Sequence, residues 1–232
     1  MTVSSDRLYA ALEATWPPQS SHRAGPFRLR DGAGGGKRVS AAVLEGAYSD
    51  AALDDLGDLP LFQLQAGQDQ LDNALYGRGY SLIDPTVLYS APIEQIAEKP
   101  RPVSLLDAWP PLAIQRQIWA DGGVGPARVD VMMRACDPKY SFVARFQNRA
   151  AGTAFAAIHD GIAMLHALQV EPDFLRQGVA RYMVRGIAYW AQQNGAQVFA
   201  LAVTQANTSA RALYSQLGMT EAGAYHYREK KT

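Results

Sequence analysis

Apolar residues recur along the chain with two periods, near 3.6 and near 2, and the switches between them divide it into short elements. Residues 5–15 put Leu8, Leu12 and then Trp16 on one side. A short helix is predicted there, capped by Ser5 or Asp6 and stopped by Trp16-Pro17-Pro18. Residues 26–30 and 38–44 alternate weakly and predict two strands. Between them Asp31-Gly32-Ala33-Gly34-Gly35-Gly36-Lys37 reads as a flexible hairpin tip. It is not read as a phosphate loop, because no helix is predicted after it and no Ser or Thr follows the Lys. A helix at 49–56, a strand at 59–65, a helix at 69–76 and a strand at 81–90 come next. Residues 91–102 hold Pro92, Pro100 and Pro102 among several charges and read as a linker, dividing an N-terminal α/β half, 1–97, from a second half, 98–232.

The second half is patterned more sharply. A strand is predicted at 103–108, helices at 111–120 and 127–135, and strands at 140–147, 152–158 and 162–170. A helix at 182–193, a strand at 196–204, a helix at 208–217 and a strand at 220–227 complete it. The order β α α β β β α β α β predicts an α/β fold, a mixed sheet with helices on both faces. A faint internal repeat runs across the halves. Leu61-Phe62-Gln63-Leu64, Ala74-Leu75-Tyr76 and Gly79-Tyr80 parallel Val198-Phe199-Ala200-Leu201, Ala212-Leu213-Tyr214 and Gly218-Met219. Either the match is chance or the first half is a relic of the second.

One stretch carries chemistry. Between the strand ending at Val170 and the following helix lies Glu171-Pro172-Asp173-Phe174-Leu175-Arg176-Gln177-Gly178-Val179-Ala180. Gly178 has no Cβ and Ala180 a single methyl, so a ligand can approach the backbone amides at the helix start. Those amides lack intrahelical partners and sit at the positive end of the helix dipole, which makes an anion site suited to a pyrophosphate.

Composition narrows the rest. The chain has 232 residues, 48% of them hydrophobic, which is globular and allows two small domains. Lys plus Arg equals Asp plus Glu at 22 each, so nothing in the charge balance argues for nucleic acid or a membrane surface. Cys136 is the one cysteine and the four histidines are scattered, which leaves no disulfide framework and no metal-ligand cluster. Met1-Thr2-Val3-Ser4-Ser5-Asp6 lacks the basic-then-apolar pattern of a signal peptide, so a cytoplasmic protein is expected.

Residues 103–227 resemble, by element order, the GNAT superfamily of acetyl-CoA-dependent N-acetyltransferases, and the likeness is specific over residues 164–219. The family's Gln/Arg-x-x-Gly-x-Gly/Ala signature is matched by Leu175-Arg176-Gln177-Gly178-Val179-Ala180, with Leu175 departing from the pattern. Its Asn-x-x-Ala-x-x-Leu-Tyr element and Leu-Gly-aromatic turn are matched by Asn207 to Tyr214 and by Leu217-Gly218-Met219, with Met in the aromatic place. The resemblance implies an acyltransferase with acetyl-CoA as co-substrate, no metal, and a small-molecule or peptide amine as acceptor, with a homodimer open. It implies that amides around Leu168 and Val170 hold the pantetheine arm, that Arg176, Gln177, Gly178, Val179 and Ala180 hold the pyrophosphate, and that Asn207 belongs to the cofactor site. A catalytically silent acyl-CoA-binding or interaction module of the same fold is the alternative.

Two residues are expected to move protons. The resemblance implies that Tyr214 protonates the departing thiolate, and its ordinary pKa near 10 suits a donor; the other reading is a core tyrosine. Asn207 can likewise be no more than a helix N-cap. The family's base position on the fourth strand falls on Met164, which takes no proton. His166 lies two residues on, on the same side of the strand, and Met164 to Val170 is similar to that strand in arylalkylamine N-acetyltransferases. His166 is thus either the base, with a kcat/KM limb near the ordinary histidine value, or a strand histidine bonded to a neighbour. Glu171 is a lesser candidate.

Overall fold

Ser4, rather than Ser5 or Asp6, caps α1 (Ser5–Thr15), its side chain accepting a hydrogen bond from the Arg7 N–H. Leu8, Ala11, Leu12 and Thr15 form its buried stripe. The chain then runs β1 (Ser20–Ala24), β2 (Phe27–Asp31), a single turn α2 (Lys37–Ser40), β3 (Ala42–Leu44), α3 (Asp50–Asp54), β4 (Leu61–Gln65), α4 (Asp69–Gly77), β5 (Ser81–Pro92) and α5 (Ile93–Ile96). The second half follows as β6 (Leu105–Ala108), α6 (Ala113–Asp121), α7 (Pro126–Arg134), β7 (Lys139–Phe146), β8 (Arg149–His159) and β9 (Ile162–Val170). It closes with a 3-10 turn (Pro172–Phe174), α8 (Val179–Gln193), β10 (Val198–Thr204), α9 (Thr208–Gln216) and β11 (Thr220–Glu229). This computed structural model describes residues 3–230. Among them, no helix is long and apolar enough to cross a membrane.

The strands form one mixed sheet in the order β1-β2-β3-β4-β11-β5-β10-β9-β8-β7-β6. Helices cover both faces, as the residue pattern predicted. On one face α8 buries Val179, Met183, Val184, Ile187, Ala188 and Ala191 against Phe142, Ala154, Leu165 and Phe199. Each large side chain so buried contributes about 1.5–3 kcal/mol. On the other face α1 lays Leu8, Ala11 and Leu12 over Ile162, Met164, Ala200, Tyr225 and Tyr227. Alongside it α6 and α7 pack Trp119, Val129, Val131 and Met132 around Phe155.

The centre of the sheet holds a reciprocal exchange. β5, from the first half, lies antiparallel beside β10 of the second. β11, from the second half, lies antiparallel beside β4 of the first. Leu61 pairs with Glu229, and Val198 with Pro92. Advancing Leu61 by 137 residues gives Val198, and moving Glu229 back by the same 137 gives Pro92. The strand expected at 81–90 runs on to Pro92, held by β10 after β11 leaves it at Ser90, so the expected linker at 91–102 begins instead as the end of this strand and α5, with Ile93 and Ile96 buried.

The first half departs from its pattern in two further places. β1, whose residues are mostly exposed, carries no apolar alternation and was not foreseen. The expected strand at 38–44 is α2 followed by β3. The glycine-rich stretch before α2 is no free tip: a Cβ on Gly35 would lie 2.6 Å from Val131 Cγ2 of α7, so the missing side chain lets the segment dock on the second half.

Candidate active site

β9 and β10 run parallel and paired only from Ile162–Val198 to Leu165–Leu201. Beyond Leu165, β9 is bonded to β8 alone, and beyond Leu201, β10 is bonded to β5 alone. The facing edges splay apart, and the space between them is a cleft of about 930 Å³. A bulge shapes its wall. Thr153 pairs with Gln169 and Phe155 with His166, so β9 carries one residue more than β8, and Ala167 takes φ 49°. The indole N–H of Trp119 donates to the Ala167 carbonyl at 2.8 Å and holds the bulge in place.

At one end of the cleft is the loop into α8. Arg176 and Gly178 both have positive φ, 58° and 84°, so the backbone alternates hand and turns successive N–H groups toward the same side. A Cβ on Gly178 would meet nothing within 4 Å, so the space above it is open. The helix begins at Val179, three residues earlier than its apolar pattern suggested, which brings the amides of Val179 and Ala180 into its unsatisfied first turn.

Leu168, Val170, Arg176, Gly178, Val179, Ala180, Asn207, His166 and Tyr214 all line this cleft. Gln177 does not; its side-chain amide turns back to the Asp173 carbonyl at 2.7 Å. Glu171 is not among the lining residues either. Asn207 caps α9, its side-chain oxygen accepting from the Ala210 N–H at 3.1 Å, so its structural role is present whatever else it does.

Tyr214 is 6% exposed, and burial pushes its phenol up to about 12. No partner for its hydroxyl is found among the described residues, and the ring packs against Tyr89 at 5.9 Å. It is a protonated donor at the edge of the cleft and part of the core as well.

His166 is 4% exposed. Burial and, secondarily, the Arg38 charge hold it well below the ordinary value of 6.5, so it is neutral. Its Nε2 lies 2.9 Å from Thr15 Oγ1, and that hydroxyl donates to the Ala11 carbonyl at 2.6 Å. With its proton so used, Thr15 accepts from His166 Nε2–H, which leaves Nδ1 as the ring's lone pair. The Trp16 ring stacks on the imidazole at 4.9 Å.

Three residues around His166 escaped the sequence reading. Thr15, Trp16 and Arg38 all come from the first half, and the local pattern marks the first two only as the end of a helix. Nothing short of the tertiary fold brings them to β9.

Residues 99–219, just over half the chain, match the family described as Acetyltransferase (GNAT) family. The chain is 25% identical over 247 residues to the uncharacterized N-acetyltransferase YobR of Bacillus subtilis (strain 168), with 97% of each covered. Among solved structures it is similar to a GCN5-related N-acetyltransferase from Kribbella flavida, with TM-score 0.73, 17% identity, and 100% and 97% of the two chains covered. It is also similar to a tandem GNAT protein from the clavulanic acid biosynthesis pathway, with TM-score 0.58, 10% identity, and coverage of 93% and 84%.

Proposed function

The chain belongs to the GNAT acetyltransferase family and is an acyltransferase, and from that premise we propose that it moves an acetyl group from acetyl-CoA to a primary amine by direct attack. The reading is carried by the splay of β9 from β10, which opens onto the loop of Arg176 and Gly178 at one end and onto Tyr214 and His166 along its length. The loop fits a pyrophosphate: alternating backbone hand, open space over Gly178, and first-turn amides of α8. The backbone of Leu168 and Val170 would hold the pantetheine arm. Backbone amides of Arg176, Gly178, Val179 and Ala180 would hold the phosphates, with Asn207 alongside and the Gln177 side chain turned away.

Acetyl-CoA supplies the thioester carbonyl that the amine attacks. His166 Nδ1 takes the ammonium proton, directly or through one water, and Tyr214 gives its phenolic proton to the sulfur as the C–S bond breaks. Thr15 fixes the tautomer that leaves Nδ1 free. In this reading residues 98–232 carry the site. Residues 1–97 are a degenerate copy of the same fold that contributes α1 and β5, and the constant 137-residue offset of the exchanged strands supports that descent.

Thermal unfolding with and without acetyl-CoA, followed by thiol release across an amine panel, tests the function. A ligand at 100 times its Kd adds about 2.7 kcal/mol of stability. Stabilisation with turnover is expected. Stabilisation without turnover across a broad panel favours the silent module, a reading kept in view by Leu175, whose exposed apolar side chain donates nothing to phosphate.

A further inference from the structure

A second cavity, of about 680 Å³, lies between α1 and the strands β2 to β4. Tyr9, Glu13, Trp16, Arg28, Arg30 and Arg38 are in its wall. This cavity and the cleft share Arg38 in their walls, and Trp16 of this cavity is the ring stacked on the His166 imidazole that lines the cleft.

The charges in this wall do not balance locally. Arg28 is clamped by Glu13 and by Glu45, whose Oε1 lies 2.6 Å from its Nε, and Arg23 also reaches Glu45, at 3.1 Å. Those two carboxylates are therefore taken, and the third in the wall, Asp6, is exposed and within ion-pair distance of neither Arg30 nor Arg38. Arg30 donates only to neutral oxygens, the Ala41 carbonyl at 2.7 Å and Gln63 Oε1 at 2.6 Å. Burial lowers its guanidinium to about 10, the cost of a cation removed from water with no anion in contact. Arg38 donates through Nε to the Tyr225 hydroxyl at 3.2 Å, and among the described residues no carboxylate lies within ion-pair distance of it. Two guanidiniums thus face the cavity without an acidic partner in contact, next to the group that would accept the amine proton.

We infer that this cavity is the acceptor site and that the acceptor is an amine bearing an anionic group, carboxylate or phosphonate, held by Arg38 and Arg30. The inference rests on the acetyl-transfer reading and adds the substrate class to it. A guanidinium fork matches a two-oxygen anion, and only the first half supplies it.

The test uses the full chain saturated with acetyl-CoA. Calorimetry and thiol release are run with the twenty standard L-amino acids, β-alanine, 4-aminobutyrate and 2-aminoethylphosphonate, each amino acid paired with its carboxamide. Anionic amines are expected to bind and their carboxamides to bind about 10- to 100-fold more weakly, the loss of a charge-assisted pair. Preference for the phosphonate over the carboxylates would identify the anion as a phosphonate. Arg38→Gln should erase the discrimination and raise the KM of the anionic amines to that of their carboxamides. Carboxamides equal to their parents, or no anionic amine binding at all, overturns the inference and leaves acetyl transfer standing. The wild-type comparison decides even if Arg38→Gln does not fold. Failure of acetyl-CoA itself to bind would remove the underlying reading as well.

Discussion

Thr15 Oγ1 and His166 Nε2 are 2.9 Å apart, joining the last turn of the first helix to the bulged strand of the cleft. The contact assigns the tautomer of the candidate base from a residue in the other half of the chain.

The pH behaviour of His166 follows from its burial. The residue pattern suggested a limb near the ordinary value of 6.5; burial moves it well below. Above pH 6.5 the base is already neutral, so any rise in kcat/KM there should track the pKa of the acceptor amine and move when the acceptor is changed. The stability effect has a fixed sign. Below 6.5 the unfolded chain takes up a proton that folded His166 refuses, so this residue's contribution is present above 6.5 and is lost as pH falls toward its folded pKa. Urea unfolding of wild type minus His166→Gln, from pH 7.5 to 5, should show that slope. A flat difference would mean that His166 titrates alike in both states.

Tyr214→Phe keeps the ring beside Tyr89 and removes the hydroxyl. If the phenol protonates the thiolate, kcat falls on the order of 10²-fold and the acetyl-CoA KM barely moves. With the phenol pushed up to about 12, the wild type should show no loss of this donor up to pH 10. Full activity in the variant makes Tyr214 a packing residue only.

Gly178 separates backbone strain from charge. At φ 84° any Cβ costs about 1–2 kcal/mol, but nothing lies within 4 Å to clash with it. Gly178→Ala should lower stability by about that amount and keep measurable acetyl-CoA binding. Gly178→Glu adds a negative charge where the phosphates belong and should abolish the thermal shift. An unchanged shift in Gly178→Glu would put the anion elsewhere.

Residues 98–232 carry the matched motifs, which on their own would point to a second half that binds acetyl-CoA without the first. The sheet argues otherwise. Cutting at 98 removes β5 and leaves β10 and β11 with open edges in the middle of the sheet. The fragment should aggregate in size-exclusion chromatography, and co-expression with residues 1–97 should restore a soluble complex. A soluble, ligand-binding 98–232 would show that the exchanged strand is dispensable.

The second half was legible because its elements are local. Ile162–Val170 matches the strand read from its apolar run, and the order of all ten elements from β6 to β11 is as expected. The loop glycine and the Asn207 cap announce themselves within a few residues. The unforeseen parts depend on distant partners. β1 is polar along its length and exists because β2 pairs with it. Gly35 reads as flexible until Val131 is seen against it. Arg38 falls at the start of the strand expected at 38–44, and only the tertiary fold sets it in the walls of two cavities.

The exchanged strands also bear on how the chain is made. Among the described residues β11 is made after the ten other strands of the sheet, yet it lies inside, between β4 and β5. Until it emerges from the ribosome, each of those two strands keeps a bare edge. Thr220 must then find Ser90, so closure waits on pairing across most of the chain. Pulse proteolysis of chains stopped at residue 219 should find both halves cleavable. The sheet thereby makes β11 its keystone: a chain that stops before this strand leaves both of its neighbours open and is a substrate for proteases.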